Sequence, residues 1–344
     1  MKVRLAGALS LFVVVIAMAN LIPALAQEAT AASASATEQA ANGDAQSPTK
    51  NWADRNPLKI ALLKWYQANL TTSFSVGKTK NSNPYGLAFD GQNIWTANSE
   101  GTVTKLRAND GAILGNFAVG GQANGVVFDG ANVWVTVSPN TVSKLRASDG
   151  KIVGSFPVGG GPFWPAFDGE NIWVPNTADG TVSKLRADDG KNLGTFALYG
   201  AIAAAFDGTS VWVTAYGPST VSKLRPSDGK ILGTYNVGSA PIGVAFDGAN
   251  IWVASQGGAS GIVSKLRASD GRALGTFDVP GSPYGVAFDG TDIWVTLDGG
   301  LIELRGSDGA KLGQFPANAG STGIAFDGAN IWVALSLDHV LLKF

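Results

Sequence analysis

The chain has 344 residues, 15% of them charged, with 25 Lys and Arg against 26 Asp and Glu and a formal net charge of −1. That balance, with no basic block, excludes an electrostatic grip on nucleic acid or on an anionic membrane surface. There is no cysteine, which excludes disulfides, a lipid-bearing cysteine and thiolate chemistry.

Residues 1–26, MKVRLAGALSLFVVVIAMANLIPALA, begin with Lys2 and Arg4, run apolar from Leu5 to Leu25 and end in Ala24-Leu25-Ala26. These are the three parts of a secretory signal peptide, with cleavage after Ala26 and export to the periplasm or the extracellular space. An uncleaved anchor is the alternative, since the apolar run approaches spanning length. Cleavage would leave 23 basic against 26 acidic side chains.

Residues 27–55 follow as an Ala/Ser/Thr-rich linker with almost nothing large and apolar to bury, so they are expected to be flexible. Residues 56–69 read as a short docking helix. Asn56 caps it, Pro57 takes its first position, and Leu58, Leu62, Trp65 and Tyr66 fall on one side.

From residue 70 to 344 the chain is periodic. Phe-Asp-Gly begins at Phe89, Phe128, Phe167, Phe206, Phe246, Phe288 and Phe326, at spacings of 39, 39, 39, 40, 42 and 38 residues, and a Trp follows each Phe six positions later. A period near 40 with four strand-like stretches per unit is the signature of a propeller blade. The fifth unit shows the four: IGVAFDG, NIWVASQ, GIVSKLRASDG and RALGTFDVP. The seventh unit reaches Phe344 with three strands only, while TTSFSVG at 71–77 has the character of a fourth strand before any first. The fold class is therefore all-β, a seven-bladed propeller of four-stranded blades whose last blade is completed by residues 71–77. Closure spares the ring the bare sheet faces of an open array.

Most of the repeated residues have a structural reading. The Phe and Trp columns belong to the core between blades. Along GVAFD, large side chains on one side and small ones on the other are expected to interlock with neighbouring blades. Each Asp before Gly can hold turn amides, and the Lys and Arg of the recurring SKLR are expected beside those carboxylates on outer strands.

Function is sought where the copies differ. Turns after the first and third strands repeat, whereas connections after the second and fourth differ in every blade and emerge on one face. Variable loops on a rigid scaffold are the usual place for binding. Residues entering the inner strands include Tyr85, Asn124, Phe163 and Tyr284. Trp164 is bulky where the other copies are small, and Tyr199 and Tyr216 add aromatics nearby. These seven residues either plug the channel mouth or rim a pocket for a sugar, peptide or flat ligand.

Glu100, Asp298, Asp338 and His339 lie on second-to-third-strand loops of three consecutive blades. They form a candidate acidic arc for a divalent cation; no other cofactor is called for. His339 is the one histidine, so histidine-rich metal sites and Ser-His-Asp triads lack their parts unless built on it.

The phrase GVAFDGANIWVASQ…VSKLRASDGRALGTF resembles bacterial YVTN/NHL-type propeller repeats, including the YncE-like and streptogramin-lyase-like propellers, over residues 71–344. The resemblance implies the propeller fold. Within that superfamily, streptogramin lyases use a metal ion and a histidine near the central mouth, for which His339 is the single counterpart. Lactonase-type propellers hold Ca²⁺ with Glu, Asn and Asp there, and the inner-strand starts of this chain offer Asn124 without an acidic residue. The expected function is a non-enzymatic, monomeric binding scaffold for a protein, peptide or glycan ligand. It has no nucleic-acid partner and, once the signal peptide is removed, no membrane contact. A metal-dependent lyase or lactonase-like enzyme is the alternative.

Overall fold

The computed structural model describes residues 72–77, 79, 82–257, 260–318 and 320–344. The expected signal peptide, linker and short helix at 1–26, 27–55 and 56–69 lie outside the described residues. Everything described falls in one compact unit, residues 66–344.

Seven four-stranded antiparallel sheets follow one another along the chain. In the first blade the strands are Pro84–Phe89, Asn93–Asn98, Thr102–Arg107 and Ile113–Ala118. The seventh blade takes Ser321–Phe326, Ile331–Leu335 and Val340–Lys343 from the C-terminal stretch and Ser73–Ser75 from the N-terminal one. Phe74 stands opposite Leu341. Two backbone bonds extend the pairing, from Val76 N to His339 O (3.1 Å) and from Lys343 N to Thr72 O (2.8 Å). The ring is closed by its two chain ends, as the orphan strand predicts.

The packing between blades explains the repeat. In each blade the Trp of the second strand packs on an aromatic of the fourth at 5.3–5.7 Å between ring centres, and in the seventh blade Phe74 supplies that partner for Trp332. Six of the seven repeat tryptophans are fully buried. Six of the seven fourth-strand aromatics, all but Phe315, also lie over the turn glycine of the next blade. A Cβ at Gly111 would overlap Phe74, one at Gly150 would overlap Phe117, and the left-handed φ of +70° at Gly111 independently favours glycine.

The lysines of SKLR depart from expectation. They do not join the outer carboxylates but turn into the seams. Lys144 Nζ lies 5.0 Å from the centre of the Trp134 ring and donates to the carbonyls of Ala187 (2.7 Å) and Asp188 (3.0 Å) in the next blade. The same happens from Lys105, Lys184, Lys223, Lys265 and Lys343. The reason is the unpaired carbonyls of the neighbouring third-to-fourth turn, which need a donor once the blades pack. Only the arginines meet the outer aspartates, as in Arg186–Asp189 at 2.8 Å.

The inner strands also depart from simple alternation. A register shift at their starts, as between Pro84 and Leu87, puts both the glycine and the following apolar residue on the central channel. Five of the seven blades carry glycine there, where neighbouring inner strands meet backbone to backbone. A Cβ at Gly86 would lie 2.8 Å from Gly125 Cα and 2.9 Å from Asn124 O.

Candidate functional site

Because strand direction alternates within each sheet, first-to-second and third-to-fourth turns leave on one face of the disc. The other connections leave on the opposite face. The two faces are built from different chemistry.

On the repeated face each Asp-Gly turn is a small clasp. Asp129 Oδ1 accepts from the amides of Ala131 (2.8 Å) and Asn132 (2.6 Å), while Oδ2 accepts the Trp134 indole N–H at 2.7 Å. All seven tryptophans make this bond, from Trp95 to Trp332. At Asp90 burial works against the charge. The Trp95 indole, the Asn93 side chain and the amides of Gln92 and Asn93 together outweigh it and hold the carboxyl below its usual range. Asp207, Asp247, Asp289 and Asp327 are lowered by the same balance. On the rim, the Arg267 guanidinium and the Arg272 amide bring Asp270 down to about 2.

The variable face surrounds the mouth of the channel, whose cavity of about 150 Å³ is lined by residues of all seven blades, among them Gly86, Val126, Trp164, Ala203, Val244 and Ile324. Trp164 is placed there by a departure of the third blade. Only Ala166–Phe167 forms its inner strand. Upstream, Trp164 pairs with the fourth blade instead, its N–H donating to Ile202 O (3.2 Å) and its carbonyl accepting from Ala204 N (3.0 Å). Its ring lies 5.4 Å from that of Phe163, and its indole N–H is buried with no hydrogen-bond partner.

The other residues singled out from sequence divide into three groups. Tyr85 and Tyr284 are half-buried on the inner strands, and Phe163 is half-buried just upstream of the short inner strand of the third blade. Asn124 is not presented to a ligand. It is buried, and its amide donates to Ser138 Oγ and to Pro162 O of the next blade, both at 3.0 Å, so the inter-blade seam consumes it. Tyr199 and Tyr216 stand out from the surface, 79% and 43% exposed. They belong to adjoining loops, Tyr216 N donating to Gly200 O (2.8 Å), and the Tyr216 hydroxyl reaches Gln256 of the fifth blade at 3.4 Å. Neither lines the channel cavity. Exposed Leu337 joins this face from the last blade. Sequence reasoning missed it because a lone leucine in a loop carries no periodic signal.

The acidic arc does not assemble. Among the described residues no three of His, Asp and Glu come together in a group that could hold a metal ion. Glu100 is engaged locally, accepting from Thr79 Oγ1 (2.7 Å) and Thr102 Oγ1 (2.9 Å). Asp298 is exposed and takes the Gly320 amide at 3.4 Å. Asp338 and His339 share one loop, with Asp338 Oδ2 and His339 Nδ1 buried and without hydrogen-bond partners. Each second-to-third loop sits at the top of its own blade, and the radial layout keeps neighbouring loops apart.

No helix among the described residues is long and apolar enough to cross a membrane. No curated protein matches the chain. Among solved structures, Kuenenia stuttgartiensis hydrazine synthase is similar over 78% of this chain and 97% of its own, with a TM-score of 0.68 and 16% identity, a likeness of fold alone. The sequence of residues 64–333, more than three quarters of the chain, matches the family model described as outer membrane protein assembly factor BamB, and the chain belongs to that family.

Proposed function

We propose that this protein is an exported, monomeric binding scaffold that holds a polypeptide or glycan partner on its variable face without catalysing a reaction. The observation that carries this reading is the division of labour between the faces. Asp-Trp clasps and Lys bonds occupy the repeated face, whereas the opposite one carries non-repeated loops with Tyr199, Tyr216 and Leu337 open to solvent. Exposed aromatics on a rigid frame suit recognition because little side-chain entropy is lost on binding. The family's description as an assembly factor supports a polypeptide over a glycan, since assembly works through contact between chains. The basic start and apolar run of residues 1–26 support export. Within the propeller class, the repeat phrase supports a YVTN/NHL-like blade. A metal-dependent lyase or lactonase-like activity gains no support from the separated Glu100, Asp298 and His339.

The test is a peptide and glycan array probed with wild type, Trp164→Ala, a Tyr199→Ser/Tyr216→Ser double variant and a repeated-face control, Arg186→Ala. The reading expects the double variant to lose the bound features while Arg186→Ala keeps them. Unchanged profiles for both variable-face variants, or equal loss in the control, would refute it.

A further inference from the structure

One seam of the ring differs from the rest. In six blades the residue directly opposite the Trp across the second and third strands is a lysine, whose ammonium lies over the ring at 4.8–5.5 Å. In the sixth blade Trp294 faces Glu303 instead. The usual acceptors are missing as well among the described residues. The third strand of the seventh blade comes from the C-terminal stretch and the fourth from Ser73–Ser75, so no third-to-fourth turn of the described residues faces the sixth blade with its carbonyls. Phe344 fills part of that place, its ring 6.2 Å from Phe315.

The consequence is an aromatic face with no cation over it among the described residues. Trp294 is half-buried where the six other repeat tryptophans are fully buried, yet it keeps the clasp to Asp289 (2.8 Å) and its stacking on Phe315 (5.3 Å). Glu303 is half-buried and makes no hydrogen bond or ion pair among the described residues. Burial, with Asp292 and Asp289 close by, pushes its carboxyl above the usual range. Asp292 stands where five blades carry Asn and one carries Ser. An indole face beside an unpaired carboxylate is suited to an ammonium group, and this molecule places an ammonium on the equivalent indole six times over.

We propose that the seam between the sixth and seventh blades binds a lysine side chain of a partner polypeptide, its stem along the seam and its ammonium between the Trp294 ring and Glu303. The lysine supplies from outside what the neighbouring blades supply from within. The site lies on the repeated side of the disc and stands independently of the variable-face reading.

Indole N–H resonances of the full chain labelled with ¹⁵N-Trp report it directly, with the Trp294 signal identified by Trp294→Phe. Titration with acetyl-Gly-Lys-Gly-amide is expected to move that signal saturably, and the same peptide with an acetylated lysine is expected not to. Glu303→Gln should weaken binding about tenfold, the scale of one lost charge-assisted partner. Glu303→Lys should abolish it by filling the site from within. The other indole signals monitor folding in both variants. No movement of the Trp294 signal, equal movement with the acetylated peptide, or undiminished binding in Glu303→Lys would overturn the proposal. Binding of n-butylammonium as tight as that of the peptide would overturn the assignment to a polypeptide.

Discussion

The two faces of the disc are made by the same strands and yet obey different rules. On the repeated side, a turn such as Asp129-Gly130-Ala131-Asn132 is held at every bond. Oδ1 serves two amides, Oδ2 serves Trp134, and Lys144 ties the blade to its neighbour. On the variable side, Tyr199 projects into solvent and the Tyr216 hydroxyl makes one long hydrogen bond. The difference teaches that in this ring stability and recognition are carried by opposite ends of each strand, so either can change without the other.

The comparison can be tested most severely with acid, because five blades respond at once. Asp90, Asp207, Asp247, Asp289 and Asp327 have carboxyls held below their ordinary value of 3.8 in the folded chain. Lowered folded values contribute stability at pH above 3.8 and lose it as pH falls through the folded values. Thermal unfolding is expected to show a steep drop in Tm between about pH 4 and about pH 2. A flat profile there would remove the clasps as the source of stability.

A single clasp is the next largest lever. Trp134→Ala removes a fully buried ring together with its hydrogen bond to Asp129 and its contact with Lys144. Chemical denaturation should register a loss of about 3–5 kcal/mol. The smallest effect belongs to the other side. Tyr199→Ser and Tyr216→Ser should change stability by no more than about 0.5 kcal/mol. A loss there comparable to that of Trp134→Ala would end the separation of roles.

Much of the fold is legible in the sequence because a propeller repeats its physics. Seven Phe-Asp-Gly turns at near-constant spacing count the blades, and TTSFSVG reveals the closure because Phe74 copies the fourth-strand aromatic of every other blade. The fate of the SKLR lysines is not legible. A lysine at alternate positions of an outer strand reads as solvated, and only packing shows carbonyls of the next blade within reach. The same holds for Asn124, whose partner Pro162 is 38 residues away. The significance of Glu303 needed the lysine pattern first, since a glutamate on a third strand is unremarkable until six counterparts are seen to cover an indole. Trp164 is visible as an intruder, but its pairing with the fourth blade follows from the short inner strand of the third.

The sealing of the last sheet by Ser73–Ser75 fixes a timetable for biosynthesis. Ser73–Ser75, made before every other described strand, must wait for Val340–Lys343, made after them all. Until then Phe74, buried against Trp332 in the finished ring, lacks its stacking partner and has only the first-blade side of its pocket. Six sheets draw all their strands from consecutive stretches, but the circle joins only after synthesis has passed residue 340, which makes its closure the contact of longest sequence range in the ring.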